Sequence, residues 1–175
     1  MLIILVGASA TGKTEVGKIL KSKYGYNKIV TYTTRDIRIG ETKDIDYHFV
    51  TKEEFEKMAK EGKFFEYTAY NDNYYGTSFE SLYHNGYLIL EPIGYNKYFK
   101  SNIKYKSFYL NTSNEIKYQR MIQRGDGEEQ ALKRIRIDNE LFNDEIKEKF
   151  DFVIRTDNLS IEETADLIVS YLKEE

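Results

Sequence analysis

Gly7-Ala8-Ser9-Ala10-Thr11-Gly12-Lys13-Thr14 carries the spacing G-x-x-x-x-G-K-[ST], set between an apolar run, Leu2–Val6, and an amphipathic stretch that begins at Lys13. Both flanks suit the chemistry. The glycines let the backbone wrap closely, so that successive N–H groups and the start of a helix face a polyphosphate. Lys13 reaches toward the β- and γ-phosphates, and the Thr14 hydroxyl is placed to ligate Mg²⁺. These eight residues predict a binding site for a nucleoside triphosphate. A plain strand-to-helix turn with an incidental lysine is the competing reading, and the flanking elements weigh against it.

A phosphate-binding turn does not say where a phosphoryl group goes. The stretch 31–77 is the candidate acceptor site: Thr31-Tyr32-Thr33-Thr34-Arg35-Asp36-Ile37-Arg38, then Asp46-Tyr47-His48-Phe49-Val50, Phe65-Glu66 and Asn73-Tyr74-Tyr75-Gly76-Thr77. Only seven of the 26 basic residues are arginines, so lysine is the default surface cation. An arginine in such a chain marks a place for a planar fork facing phosphate or carboxylate. Arg35 and Arg38, with tyrosine hydroxyls nearby, form a candidate cradle for a second phosphate, each charged hydrogen bond contributing roughly 1.5–3 kcal/mol. The alternative is a solvated surface pair. Glu66 ends an apolar run in the same stretch. An ionised carboxylate takes two donors side by side, which guanine's Watson–Crick edge supplies and adenine's does not. Buried, it would select guanine by as much as ~10⁴–10⁵; exposed, it is an ordinary strand-end glutamate.

The hydrophobic pattern supplies a scaffold for these residues. Strand-length apolar runs (Leu2–Val6, Lys28–Val30, Tyr87–Leu90, Ser107–Leu110, Phe152–Ile154) alternate with helical stretches (Lys13–Tyr24, around Glu80–His84, Glu115–Arg124, Glu128–Asn143, Ile161–Lys173). This predicts an α/β fold with a parallel five-stranded sheet flanked by helices. Capping boxes at Thr51/Glu54, Thr112/Glu115 and Ser160/Glu163 mark three helix starts. The stretch 31–75 interrupts the alternation as an insertion: a polar loop, a short strand Tyr47–Val50, a helix stopping near Gly62, then a strand Phe64–Tyr70 running into the turn Asn71-Asp72-Asn73. A glycine-rich turn, Arg124-Gly125-Asp126-Gly127-Glu128, joins two helices.

The chain has 175 residues, with 26 Lys and Arg against 29 Asp and Glu and a formal net charge of −3. That balance argues against a general nucleic-acid binder. At 41% hydrophobic it is too apolar for disorder, and its length suits one domain. The absence of cysteine excludes disulfides, thiolate metal sites and cysteine nucleophiles, and makes the cytoplasm the default expectation. Leu2–Val6 is too short for a signal core, and no run approaches the roughly 18 apolar residues of a membrane span. His48 and His84 have no partner at metal-ligand spacing and read as core or turn residues. Arg136 reads as a solvated helix residue, Arg155 as a strand-end cation, and the scattered tyrosines have no collective role.

In their order, GASATGKT, TTRDIRIGE, DYHFV, FFEY, NYYGTS and QRMIQRG make the chain resemble the guanylate kinases over nearly its whole length. The resemblance implies a P-loop NTPase fold with a core (1–30, 78–119 and 144–175), a GMP-binding insertion (31–77) and a lid (120–143). It implies transfer of a phosphoryl group from ATP to GMP, or dGMP, with Mg²⁺, in a monomer or homodimer whose partners are these small molecules. By position, Arg35, Arg38, Tyr47 and Tyr75 would hold the GMP phosphate, and Glu66 and Thr77, with Thr31, would read guanine. Arg120 and Arg124, with Arg134 across the glycine turn, would close on the ATP phosphates, so that Lys13, Arg35, Arg124 and Arg134 form the catalytic set. Two segments depart from the family pattern. Where an Asp-hydrophobic-Asp ending is usual, the chain has Leu90-Glu91-Pro92-Ile93-Gly94; Glu91 either organises Mg²⁺ in place of the first aspartate or is an ordinary strand-end carboxylate, and Ile93 cannot replace the second. Thr31-Tyr32 stands where small serine-like residues are usual. The rival readings are a kinase for a different (deoxy)nucleoside monophosphate, motivated by Ile93, and a non-catalytic module that binds proteins.

Overall fold

The computed structural model describes residues 1–82, 86–90, 92–142 and 144–173. Nine strands and seven helices alternate along them: β1 (Leu2–Val6), α1 (Lys13–Tyr24), β2 (Asn27–Lys28), β3 (Tyr32–Thr33), β4 (His48–Phe49), α2 (Lys52–Lys60), β5 (Phe64–Tyr70), β6 (Asn73–Ser78), β7 (Gly86–Leu90), α3 (Pro92–Phe99), β8 (Tyr105–Asn111), α4 (Asn114–Gln123), α5 (Glu128–Leu141), α6 (Asp144–Lys147), β9 (Phe152–Arg155) and α7 (Ile161–Lys173). Five strands form a parallel sheet in the order β2-β7-β1-β8-β9. β1 lies at its centre, and all five of its side chains are buried, as expected of a strand covered on both faces. One face packs Val16, Leu20, Ile168 and Val169 of α1 and α7; the other packs Tyr95, Tyr98, Phe142, Ile146 and Phe150. Four of the 16 tyrosines, Tyr87, Tyr95, Tyr98 and Tyr109, are buried in these two layers as core residues.

A second, four-stranded sheet, β4-β3-β6-β5, is built from the interrupting stretch. β5 and β6 form a hairpin turned at Asn71 and Asp72, whose φ of 48° and 62° suit the tight turns that match strand twist. Its strand β6 was not expected from the sequence. Nor was α3, in which Pro92 takes a first-turn position that needs no N–H donor. The second core strand ends at Lys28, not Val30, because the chain leaves for the second sheet at Tyr32. In place of a helix near 80–84 there is a single 3₁₀ turn, Phe79–Ser81, capped by Ser78, while His84 lies outside the described residues. The boxes at Thr51/Glu54 and Ser160/Glu163 form reciprocally. The one at Thr112 does not: its hydroxyl is buried against that of Thr156 at 2.6 Å, and Ser113 becomes the cap residue of α4 without a side-chain bond. α5 ends at Leu141, short of Asn143, which lies outside the described residues.

Gly17 shows how tightly α1 lies on the sheet, since a Cβ there would come within 2.3 Å of the Tyr87 ring. Gly17→Ala is expected to destabilise by about 2 kcal/mol in urea unfolding, because overpacking outweighs the roughly 1 kcal/mol gain in helix propensity. An unchanged midpoint would show that Tyr87 gives way freely.

Candidate active site

The glycine-rich turn leaves β1 at Gly7, where a Cβ would lie 2.6 Å from the Leu110 carbonyl oxygen. Ala10 and Gly12 hold φ of 61° and 93°, coiling the loop back toward α1. The Thr11 hydroxyl donates to the Ala8 carbonyl at 3.0 Å. Lys13 folds over its own loop, its Nζ donating to the carbonyls of Gly7 at 2.6 Å and Ala8 at 2.8 Å. Thr14 beside it is exposed on the first turn of α1. From α4, Arg120 Nη1 reaches the Ala10 carbonyl at 3.1 Å, so this arginine sits at the loop.

On the second sheet, Arg35 Nη2 donates to both oxygens of Glu41, at 2.8 and 3.1 Å, and its Nη1 to the Asp36 carbonyl at 2.6 Å. The guanidinium lies 5.4 Å from the Tyr47 ring centre and 5.7 Å from that of Phe49. Glu41 also accepts the Arg38 backbone N–H at 2.8 Å, which closes the 35–41 turn on itself. Lys28 Nζ lies 4.9 Å from the centre of the same Tyr47 ring and donates to the Asp46 carbonyl. Burial lowers its pKa, opposed by the charges of Asp46 and Glu41.

Arginines from distant segments converge here. The Arg38 guanidinium is pushed below its usual pKa, first by loss of solvent and then by the like charges of Arg35, Arg124 and Arg134. Asp126 stands among them: it accepts from Arg124 Nε at 3.0 Å and Nη2 at 2.5 Å, and Arg134 Nη1 lies 3.5 Å away. Burial by itself would raise the Asp126 pKa, but the Arg124 bonds and the charges of Arg124, Arg134 and Arg38 hold it below the usual range. Three guanidiniums thus act on one carboxylate, Asp126, while Arg35 is held by Glu41, which leaves an excess of positive charge suited to an anion.

Glu66 is 7% exposed, with Oε1 accepting the Thr77 hydroxyl at 2.6 Å. Its other oxygen lies over Gly94, where a Cβ would come within 2.7 Å. Burial pushes its pKa up to about 7, against the pull of the Thr77 hydrogen bonds. Thr31, Tyr47 and Tyr75 line the same cleft, whose volume is about 20 Å³, room for roughly one water. The buried Tyr98 hydroxyl lies close to Thr77 and Glu66, and burial first, then the Glu66 charge, pushes its pKa up.

Glu91 lies outside the described residues. Among the described residues no group of three His, Cys, Asp or Glu is gathered around a metal position. The exposed Thr14 hydroxyl fits a small hard cation that arrives with phosphate oxygens and keeps most of its waters. His48 opens strand β4 opposite Tyr32, its Nδ1 2.7 Å from Asp44 Oδ1 and its ring 4.5 Å from that of Tyr32, a structural role. Sequence reasoning missed Lys28, Glu41, Gly94, Tyr98, Asp126 and the pair Tyr70 and Asp138. Asp138 alone had a readable signal, because it follows Ala131 and Ile135 on the buried stripe of α5.

A five-stranded parallel sheet with a G-x-x-x-x-G-K-T turn after its central strand defines the P-loop α/β class. The guanylate kinase family model matches residues 1–175, and the chain belongs to that family. It is 36% identical over 166 residues to the guanylate kinase of Rickettsia felis, covering 90% of this chain and 86% of that one. With the guanylate kinase of Onion yellows phytoplasma it shares 33% over 186 residues, covering 100% and 86%. The crystal structure of guanylate kinase from Anaplasma phagocytophilum superposes with a TM-score of 0.72 at 26% identity, covering 99% of this chain and 85% of that one.

Proposed function

We propose that this chain transfers the γ-phosphoryl group of ATP to GMP, giving ADP and GDP. Family membership supports the reaction, and the approach of Arg124 and Arg134 to Arg35 and Arg38, from segments far apart in the chain, supports the assignment of residues. In this reading the P-loop takes the ATP phosphates, with Lys13 swinging from its own carbonyls to the β/γ oxygens. Arg35, Arg38, Tyr47 and Tyr75 hold the acceptor phosphate, while Glu66 and Thr77, with Thr31, read guanine. Residues 31–77 act as the GMP-binding region and 120–143 as a lid on the remaining core. Mg²⁺, held by Thr14 and with Glu91 as its candidate carboxylate, would neutralise charge on the donor phosphates. An acceptor phosphate oxygen bonds to the γ-phosphorus as the bond to the β–γ bridging oxygen breaks, and ADP leaves. No general base is needed, since that oxygen is already a nucleophile and the residues supply alignment and charge. Among the described residues no helix is long and apolar enough to cross a membrane. A cytoplasmic enzyme acting as monomer or homodimer completes the proposal.

An assay of ADP release with ATP, Mg²⁺ and each monophosphate in turn tests the reading. GMP, and dGMP more weakly, should drive turnover at least 100-fold above AMP, CMP and UMP. Equal rates for all, or ADP release that ignores the acceptor, would overturn it. Gly94→Ala supplies a local check: the new Cβ displaces the Glu66 carboxylate, so KM for GMP should rise about tenfold or more while KM for ATP stays within twofold. A parallel rise in both would place Gly94 in general packing.

A further inference from the structure

The strongest unassigned feature is a knot of three segments beside the P-loop. Asp138, at 0% exposure on α5, accepts the Ser9 backbone N–H on Oδ2 at 2.8 Å and the Tyr70 hydroxyl on Oδ1. The Tyr70 hydroxyl also lies 3.2 Å from Ser9 Oγ. Helix packing does not call for an acid here, because Asp138 occupies a stripe shared with Ala131 and Ile135, and a fully buried carboxylate is strongly disfavoured without donors. What it holds explains its presence. The buried Lys117 of α4 adds a positive charge nearby.

Each strand of the knot leads to a different part of the reaction assigned above. Arg134 precedes Asp138 by one helical turn on α5, Glu66 precedes Tyr70 by four residues on β5, and Lys13 follows Ser9 by four residues. A carboxylate bonded to both the P-loop and the end of β5 fixes all three in one arrangement. We infer that Asp138 is a positioning residue that, through Tyr70 and Ser9, makes closure of the lid and closure of the acceptor region a single event, so that each nucleotide tightens the binding of the other. The inference rests on the proposed two-nucleotide reading. An ordinary structural staple would behave differently, weakening stability and every binding constant together.

The test uses the full chain and the variants Tyr70→Phe and Asp138→Asn. The Kd for GMP is measured calorimetrically with and without saturating adenosine 5′-(β,γ-imido)triphosphate and Mg²⁺. In the parent protein the analogue should tighten GMP by about tenfold, within the usual range of coupling between sites. In either variant that factor should fall to twofold or less, with the Kd for GMP alone within threefold of the parent and Tm lowered by only a few degrees. The double variant should lose nothing more, since the two groups act as one unit. Should Asp138→Asn fail to fold, Tyr70→Phe, which removes a single oxygen, decides the matter. Retention of the parental factor in Tyr70→Phe would overturn the inference, as would a parent with no coupling or variants that weaken GMP alone to the same extent. If the parent bound the ATP analogue but not GMP, the two-nucleotide reading itself would fail, an outcome distinct from all of these.

Discussion

Lys13→Met is expected to lower kcat by about 10³-fold or more at saturating ATP and GMP, with circular dichroism and the urea midpoint close to those of the parent. Methionine keeps an unbranched chain of similar bulk, one atom shorter, and removes the charge. In the structure the ammonium is parked on the Gly7 and Ala8 carbonyls, contacts within a loop that Thr11 and the φ values of Ala10 and Gly12 also shape. The fold therefore does not hinge on Lys13. What the substitution removes is a mobile positive charge that meets the oxygens where negative charge moves during transfer. Turnover within a factor of ten of the parent would remove Lys13 from that role.

Glu66→Gln should raise KM for GMP by about 10²- to 10³-fold while leaving KM for ATP within twofold. The amide has the same size and still accepts from Thr77, but it offers an N–H₂ where guanine presents donors, leaving buried groups unpaired. Equal changes in both constants would take Glu66 out of base reading. The pH dependence follows from its pKa of about 7 in the folded chain, raised by burial from an ordinary 4.5. Because the folded value lies above the unfolded one, this group's contribution to stability is complete below pH 4.5 and is lost as pH rises through 7. Glu66→Gln should therefore match the parent near pH 4.5 and exceed it at pH 8 by up to about 3 kcal/mol in urea unfolding. Binding runs the other way, since only the ionised carboxylate accepts two donors. Lowering the pH from 8 to 6 should weaken GMP by about tenfold more in the parent than in Glu66→Gln, a comparison that cancels titration of the GMP phosphate.

Much of the scaffold was legible because its signals are local. Leu2–Val6 is a continuous apolar run, Gly7–Thr14 follows it with fixed spacing, and Thr51 and Ser160 meet their glutamates three residues on. α3 was not legible: it opens on Pro92, which reads as a break, and its buried Tyr95 and Tyr98 pack on Phe150 and Phe65, both far off in the chain. Thr112 failed as a cap for the same reason, because its partner Thr156 is 44 residues away. At the site, the arginines stood out against a lysine background, and Glu66 by its place on an apolar run. Glu41 and Asp126 did not, since an acid that orders a guanidinium is identical in sequence to one facing water, and for Asp138 only its place on an apolar stripe was visible, not the loop N–H it holds.

Glu41 has a further consequence. By gripping both the Arg35 fork and the Arg38 amide, it leaves the anion socket preset before any ligand comes, whereas the neighbouring base slot is squeezed to about 20 Å³. On the proposed reading, a monophosphate then lodges tail first: its charged end finds a ready mould with little ordering left to do, and the purine must prise its own berth open afterwards.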